Sequence, residues 1–421
     1  MKAEVTWTNT YTRDCSPNFS ENLELARHRW YGFKEGFSSS LVKRAIVDTR
    51  QDENTVLSVL DPFSGSGTTP LTALENGCKA QAIEVNPFLS FVGVTKCITK
   101  TKTSAYLIEK MNLLLEETPL EISSPLEGVS TFSPGQNKSK WLFNSSVLRG
   151  YQSLLEKIEA IENNDDQRVF LLALYTSAMK CCNARKDGKC LRYKKGWELL
   201  GYNSSTLREE FVNNCLKMIE DLERVPLLNC EIESSNTDSR TALKEASSNS
   251  IDLVVFSPPY LNSFDYSDIY RPELFLANYV GSNEELRVLR EKTLRSHVQY
   301  SWKQHDIPDS LWVKNIVSLL EKRRENLWDK LIPEMVGSYF YDMESIFREL
   351  YRIAKNGSGL WFVVSTSAYA EVEIAVDLIL ADLATQQGWE LMSINALRKL
   401  RSSSQSSKGI RLRESLVICR K

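Results

Sequence analysis

Residues 55–70 read TVLSVLDPFSGSGTTP. The apolar, β-rich run of residues 55–60 stops sharply at Asp61 and Pro62, as a buried strand does. Gly65 and Gly67 then make a tight turn, and the apolar spacing of residues 70–76, closed by Gly77, reads as a helix. Residues 80–85 (AQAIEV) form a second strand that ends on Glu84, ahead of Asn86 and Pro87. A strand, turn, helix and strand in this order build a parallel, doubly wound α/β sheet, whose ligands bind beyond the carboxyl ends of the strands. Asp61, Phe63, Gly65, Gly67 and Thr68 fall at such an end. Glycines at 65 and 67 let a ligand approach the backbone, although a GxG after a strand also serves as a plain tight turn. No GxxxxGK[ST] follows, which excludes the phosphate cradle of nucleotide hydrolases. Glu84, about twenty residues further on, is placed to accept both hydroxyls of a ribose.

A second strand end carries more chemistry. Residues 251–256 (IDLVVF) run straight into Ser257, Pro258, Pro259 and Tyr260. Two consecutive prolines remove two backbone donors and fix φ, so carbonyl oxygens and the Ser257 hydroxyl are presented in a stiff turn. Such a turn suits an acceptor of hydrogen bonds from an –NH2 group. In isolation it would serve equally as a rigid strand terminator.

Between these pieces the periodicity changes. Residues 106–117, 147–161, 169–179 and 206–222 place apolar residues at three- and four-residue spacing, so residues 101–223 read as a mostly helical insertion. Strand character returns at 227–233, and a polar, Trp-containing stretch at about 262–333 interrupts again. A helix at 341–354, a strand at 359–364, a helix at 371–387 and strands at 390–394 and 415–419 complete the chain. The expected division is one catalytic domain from residues 1–100 and 224–421, with 101–223 inserted into it, within the two to three domains that 421 residues allow.

Composition narrows the class. Fifty-two Lys and Arg balance 54 Asp and Glu for a net charge of −2, so any polyanion must be met by local basic patches. Nine cysteines without a CxxC indicate neither a disulfide framework nor a zinc knuckle, and reduced thiols suit a cytoplasmic protein. His28, His297 and His305 are too dispersed to argue for a metal, and the last two are expected in a polar loop. The longest apolar runs are strand-sized, so no membrane association is expected.

Taken together, these motifs resemble S-adenosylmethionine-dependent DNA amino-methyltransferases, which methylate the exocyclic nitrogen of cytosine or adenine. DPFSGSGTT resembles their cofactor loop, Glu84 their ribose-binding acid and SPPY their catalytic tetrapeptide. Residues 28–46 (HRWYGFKEGFSSSLVKRAI), which include Phe37, are similar to the segment over the methionine end of the cofactor. Residues 236–240 (NTDSR) are similar to the motif whose acid, here Asp238, approaches the adenine, and residues 357–364 resemble a later strand. The resemblance spans about 30–92 and 227–421 and implies a Rossmann-like class I methyltransferase sheet. It further implies S-adenosylmethionine as cofactor, bound through Asp61, Phe63, Gly65, Gly67, Thr68, Glu84, Asn86, Asp238 and Phe37. The catalytic residues would be Ser257, Pro258, Pro259 and Tyr260.

In the implied mechanism Ser257 and Pro258 accept the two amine N–H bonds, methyl transfer is direct, and Tyr260 stacks on a base flipped out of the duplex. A carbon-5 cytosine methyltransferase would need a Pro-Cys nucleophile, and no Pro-Cys dipeptide occurs. DNA contacts are expected from the basic, aromatic segment 185–197 through Arg185, Lys186, Arg192, Lys194 and Lys195. Arg398, Lys399, Arg401, Lys408, Arg411 and Arg413 are expected on a mobile basic loop at the mouth of the site. Either segment would otherwise be a solvated loop. Cytosine N4 leads as target, because in the family SPPY is commoner there and DPPY commoner for adenine N6. Restriction-modification or phage defence is the implied setting, with DNA as partner and a cognate restriction or defence subunit as a further candidate. An RNA methyltransferase acting on guanine N2 or adenine N6, and a nucleic-acid-binding subunit on an inactive fold, are the alternative readings.

Overall fold

Eight strands join into one sheet in the computed structural model, which describes residues 4–8, 10–11, 18–52, 55–99, 102–129, 131–135, 139–187, 190–227, 232–299, 306–400 and 410–421. The strands are β1 (Val5–Trp7), β2 (Ser58–Asp61), β3 (Lys79–Ile83), β4 (Ala184–Asp187), β5 (Cys190–Tyr193), β6 (Ile232–Ser235), β7 (Ile251–Phe256), β8 (Ala354–Ser365), β9 (Ser367–Tyr369), β10 (Val372–Ile374), β11 (Glu390–Leu400) and β12 (Leu412–Arg420). The sheet runs β1-β11-β12-β8-β7-β2-β3-β6. β2 pairs in parallel with β3 and β7, β3 with β6, and β7 with β8; β12 lies antiparallel between β8 and β11. From β2 the chain steps outward through β3 to β6, then returns to lay β7 on the other flank of β2. The order therefore reverses between β2 and β7, and a crevice opens there beyond the strand ends. This is the expected doubly wound, Rossmann-like sheet.

Side-chain alternation sorts the core. Leu60, Val254, Phe256, Leu360 and Phe362 join the core under helices Ile332–Ile353 and Val376–Gln386. Val59, Leu253, Val255, Trp361 and Val363 join that under Ser39–Thr49 and Thr68–Glu75. With both faces covered, residues 253–256 of the central strand β7 must all be apolar, which is why they show no alternation, while Asp252 near its start is half-buried and meets Lys355 at 2.8 Å.

The expected helical insertion is built from Ser104–Glu117, Ser145–Glu159, Asn164–Lys180 and Ser204–Arg224. Asn163 and Asn203 cap the last two by accepting backbone N–H bonds. The core of these helices continues into Phe88 and Val92 of helix Pro87–Lys96 and into Trp30 and Tyr31. Asp221 fastens this junction, accepting from the Arg27 backbone N–H, the Trp30 indole and the Arg29 guanidinium at 2.7–2.9 Å. Among the described residues no helix is long and apolar enough to cross a membrane.

Several expectations need correction. The helix expected over 371–387 starts only at Val376; before it, Val372–Ile374 pairs with β9 in a hairpin turned by positive φ at Ala370 and Glu371. The helix expected at 341–354 begins at Ile332, because Pro333 occupies its first turn, where proline leaves no hydrogen bond unmade. Part of the basic segment 185–197 is a β4–β5 hairpin. The stretch 262–333 contains helices Tyr266–Ile269, Arg271–Leu276, Asn283–Glu291 and Leu311–Lys322. Arg398 and Lys399 lie within β11 and Arg413 within β12, so the expected loop is shorter at both ends. Lys189, Arg401, Lys408, His305 and residues 228–231 of the strand expected at 227–233 lie outside the described residues.

Candidate active site

A cavity of about 330 Å³ opens at the point where the strand order reverses. Pro62, Phe63 and Gly65 reach it from the β2 end, Glu84, Val85 and Asn86 from the β3 end, and Asp238 and Ser239 from the β6 end. The turn of residues 257–260 enters from β7, Phe33–Phe37 cover the opening, and Arg398 and Glu414 come from β11 and β12.

Glu84 organises one end. Its two carboxylate oxygens accept the backbone N–H groups of Gly65 and Asn86, each at 2.8 Å. One lone pair on each oxygen remains for a ligand, the arrangement a pair of ribose hydroxyls requires. Burial pushes the Glu84 carboxyl up to about 7, against those two N–H bonds. Asp61 is buried behind the loop and does not line the cavity. It accepts from the Phe63 N–H at 2.9 Å, and burial likewise raises it to about 7. Asn86 caps helix Pro87–Lys96 and lines the cavity, whereas Thr68 is buried at the start of its helix beside Asn22. Phe63 packs on Phe256, and Phe37 is buried at the cavity wall.

The two loop glycines do different things. A Cβ on Gly65 (φ 51°) would lie 2.7 Å from the Phe33 ring, which covers the loop. A Cβ on Gly67 (φ 85°) would lie 2.7 Å from the Gly93 Cα in helix Pro87–Lys96. Gly67 is thus required for close packing of backbones and does not itself line the cavity.

Asp238 caps helix Ser239–Glu245 and receives the Arg240 guanidinium at 2.7 Å. Arg240 also meets Asp342 at 2.9 Å, and Asp342 meets Arg295 at 2.8 Å. This chain of alternating charges, invisible in the sequence because its members are far apart, holds residues 292–297 over the Asp238 end of the cavity.

At the other end the Ser257 hydroxyl has two acceptors for its one proton, the Val363 carbonyl of β8 at 3.0 Å and the Tyr260 hydroxyl at 3.4 Å, and its lone pairs are left for an incoming donor. The Tyr260 hydroxyl donates to Glu414 at 2.7 Å. Tyr266 and Ser267, from the segment expected to shape this end, line it, while the neighbouring Asp265 is paired with Arg290 at 2.6 Å. His297, expected in a polar loop, is buried and lines the cavity.

Two of the expected phosphate-binding cations have buried carboxylate partners. Lys186 lies 2.5 Å from Glu273 and 2.7 Å from the Tyr31 hydroxyl, and Arg413 makes two bonds to Asp377. Both are committed to these carboxylates, because leaving either one would strand a buried charge without its partner. Lys194 reaches the Lys180 carbonyl and Tyr202, and Arg192 an exposed Asp187. Arg185, Lys195 and Arg411 are exposed.

The structure thus defines a doubly wound α/β protein with a cleft that has the buried Glu84 carboxylate at one end and the turn of residues 257–260 at the other. No family model matches the chain. The chain is similar to the Type II methyltransferase M.BsoBI of Geobacillus stearothermophilus, 26% identical over a 472-residue alignment that covers 98% of this chain and 89% of that protein. The Type II methyltransferase M.AvaI of Nostoc sp. is 27% identical over 438 residues, covering 96% and 87%. M.MvaI of Kocuria varians, also a Type II methyltransferase, is 22% identical over 388 residues, covering 86% and 82%. Among solved structures, the rRNA methyltransferase aviRa of Streptomyces viridochromogenes aligns over 91% of this chain and 85% of its own at 10% identity. Its TM-score of 0.27 is too low to bear on the site.

Proposed function

We propose that the chain is a site-specific DNA methyltransferase of restriction-modification type. It would transfer a methyl group from S-adenosylmethionine to the exocyclic amine of a flipped base, cytosine N4 before adenine N6. The observation that carries this reading is the Ser257 hydroxyl, whose proton is engaged by Val363 or Tyr260 so that it faces the cleft as an acceptor. The names of the relatives, similar over nearly the whole chain, support methyl transfer to DNA.

The residues fit the cofactor. Glu84 keeps free lone pairs for two hydroxyls, and Gly65, Phe63, Phe37, Asn86 and Asp238 complete the walls; Asp61, Gly67 and Thr68 would act from behind by shaping the loop. S-adenosylmethionine supplies an electrophilic methyl group when bound. Ser257 and the Pro258 carbonyl accept the amine's two N–H bonds, draw its lone pair out of conjugation and fix its direction, while Tyr260 offers a stacking face. Pro259 keeps the turn stiff. Tritium transfer from labelled S-adenosylmethionine to unmethylated DNA, followed by nucleoside analysis, tests the reading. N4-methylcytosine is expected, and N6-methyladenine would move the assignment to adenine. Either 5-methylcytosine or transfer to RNA alone would overturn it.

Cofactor affinity should depend on pH through Glu84. Its folded-state value of about 7 lies above the ordinary 4.5, so the folded protein holds a proton that the unfolded chain has released. Stability from this group therefore falls as pH rises through that window and is constant above it. The ribose hydroxyls need the carboxylate, so affinity should rise through about pH 7 and then level. Calorimetry should show this rise in the wild type and a clearly smaller one in Glu84→Gln, in which Asp61, also held up to about 7, still titrates behind the loop.

Residues 101–223, with the β4–β5 hairpin, are the proposed DNA-recognition region. Lys195→Gln and Arg411→Gln should each lower the salt slope of DNA binding by about one for each phosphate left without its cation, with cofactor affinity unchanged. Lys186→Met and Arg413→Met should instead show their main effect in a denaturant titration.

A further inference from the structure

Tyr260 is tethered. Its hydroxyl donates to Glu414 Oε1 at 2.7 Å, and Arg398 Nε donates to Oε2 of the same carboxylate at 2.5 Å. Glu414 is 2% exposed, lines the cleft, and stands in β12 opposite Arg398 of β11 and Ser365 of β8. The residues that follow it, Ser415, Leu416 and Val417, are fully buried. A buried carboxylate in such a strand costs stability unless its partners compensate, and an apolar residue would pack there at least as well. Its presence therefore points to a requirement other than packing.

Both polar ends of the 257–260 turn are anchored on the same pair of strands. Ser257 is held by Val363 of β8, and Tyr260 by Glu414 of the adjoining β12. Burial, and then the Glu414 carboxylate, hold the Tyr260 phenol well above its usual range, so its O–H remains a donor. The ring is consequently fixed at both its backbone and its hydroxyl.

We propose that Glu414 is a positioning residue for the target base. It sets the angle of the Tyr260 ring, and through it the distance of a stacked base from the acceptors at Ser257 and Pro258. The inference rests on the amino-methyltransferase reading. A misplacement of about an ångström at a reacting centre costs on the order of a hundredfold in rate, so a loosened ring should be visible in turnover.

The test uses the full chain, tritiated S-adenosylmethionine and unmethylated DNA, with kcat and KM for DNA measured alongside cofactor affinity. Tyr260→Phe keeps the ring and removes the tether together with the 3.4 Å contact from Ser257; Glu414→Ala removes the acceptor and leaves that contact in place; Glu414→Gln keeps an oxygen that accepts from Tyr260, while Arg398, partly exposed, turns to solvent. Tyr260→Phe and Glu414→Ala should each lower kcat by about ten- to a hundredfold, without loss of cofactor affinity and with a smaller change in KM. The double variant should be no slower than the slower single, and Glu414→Gln should recover most of the activity. Tyr260→Phe at wild-type speed, or Glu414→Gln as slow as Glu414→Ala, would overturn the proposal. If Glu414→Ala does not fold, Tyr260→Phe and Glu414→Gln decide it. Transfer by wild type and Tyr260→Phe alike removes this proposal alone, whereas no transfer to DNA by wild type removes the functional reading as well.

Discussion

Ser257→Ala should bind S-adenosylmethionine as the wild type does and methylate DNA about 10²–10³ times more slowly, the usual loss when one placed hydrogen-bonding group at a reacting centre is removed. The substitution deletes one hydroxyl and leaves the shape of the turn to Pro258 and Pro259. Its structural cost is the bond to the Val363 carbonyl, about 0.5–1.5 kcal/mol for an ordinary hydrogen bond. A parallel urea titration separates the two effects. A rate within threefold of wild type would show that Ser257 does not orient the amine.

Gly67→Val should destabilise the whole protein, not only empty its cofactor site. Gly67 sits at φ 85°, a left-handed conformation that costs a residue with a side chain about 1–2 kcal/mol. The new Cβ would also start 2.7 Å from the Gly93 Cα, and backbone in a packed helix cannot turn aside as a flexible side chain would. Overpacking of this kind costs about 1–3 kcal/mol, so the sum is about 2–5 kcal/mol. The urea midpoint should fall accordingly in the absence of any ligand. Gly93→Ala should do less harm, since its Cβ would meet Gly67 at 3.4 Å. An unchanged midpoint with lost cofactor binding would return Gly67 to the ligand-contacting role first read from the loop.

What could be read in advance follows the range of the interactions. β7 was legible to the residue because a strand covered on both faces shows a continuous apolar run, here residues 253–256, in place of alternation. Glu84 and the 61–67 loop were legible because the contacts that join them span one βαβ unit. Glu414 was not, because its meaning depends on lying across β12 from Tyr260, more than one hundred and fifty residues away in sequence. Helix Asn283–Glu291 escaped because it is nine residues long and mostly charged, with Leu286 alone fully buried, so the stretch reads as polar despite its periodicity. Gly67 was found as a glycine, but the helix backbone it packs against was not, since a sequence shows that a Cβ is absent and not what occupies the space.

β12 also keeps time. Arg413 and Ser415 both hold Asp377, which lies at the start of helix Val376–Gln386 and does not line the cleft. Glu414, between them, faces the other way. A shift of one residue along this strand would exchange the two sets of side chains, turning an arginine towards Tyr260 and offering a donor where the phenol needs an acceptor. Asp377 makes that shift costly by gripping both neighbours of Glu414. A residue remote from the reaction thus guards the phase of the strand on which the tyrosine depends.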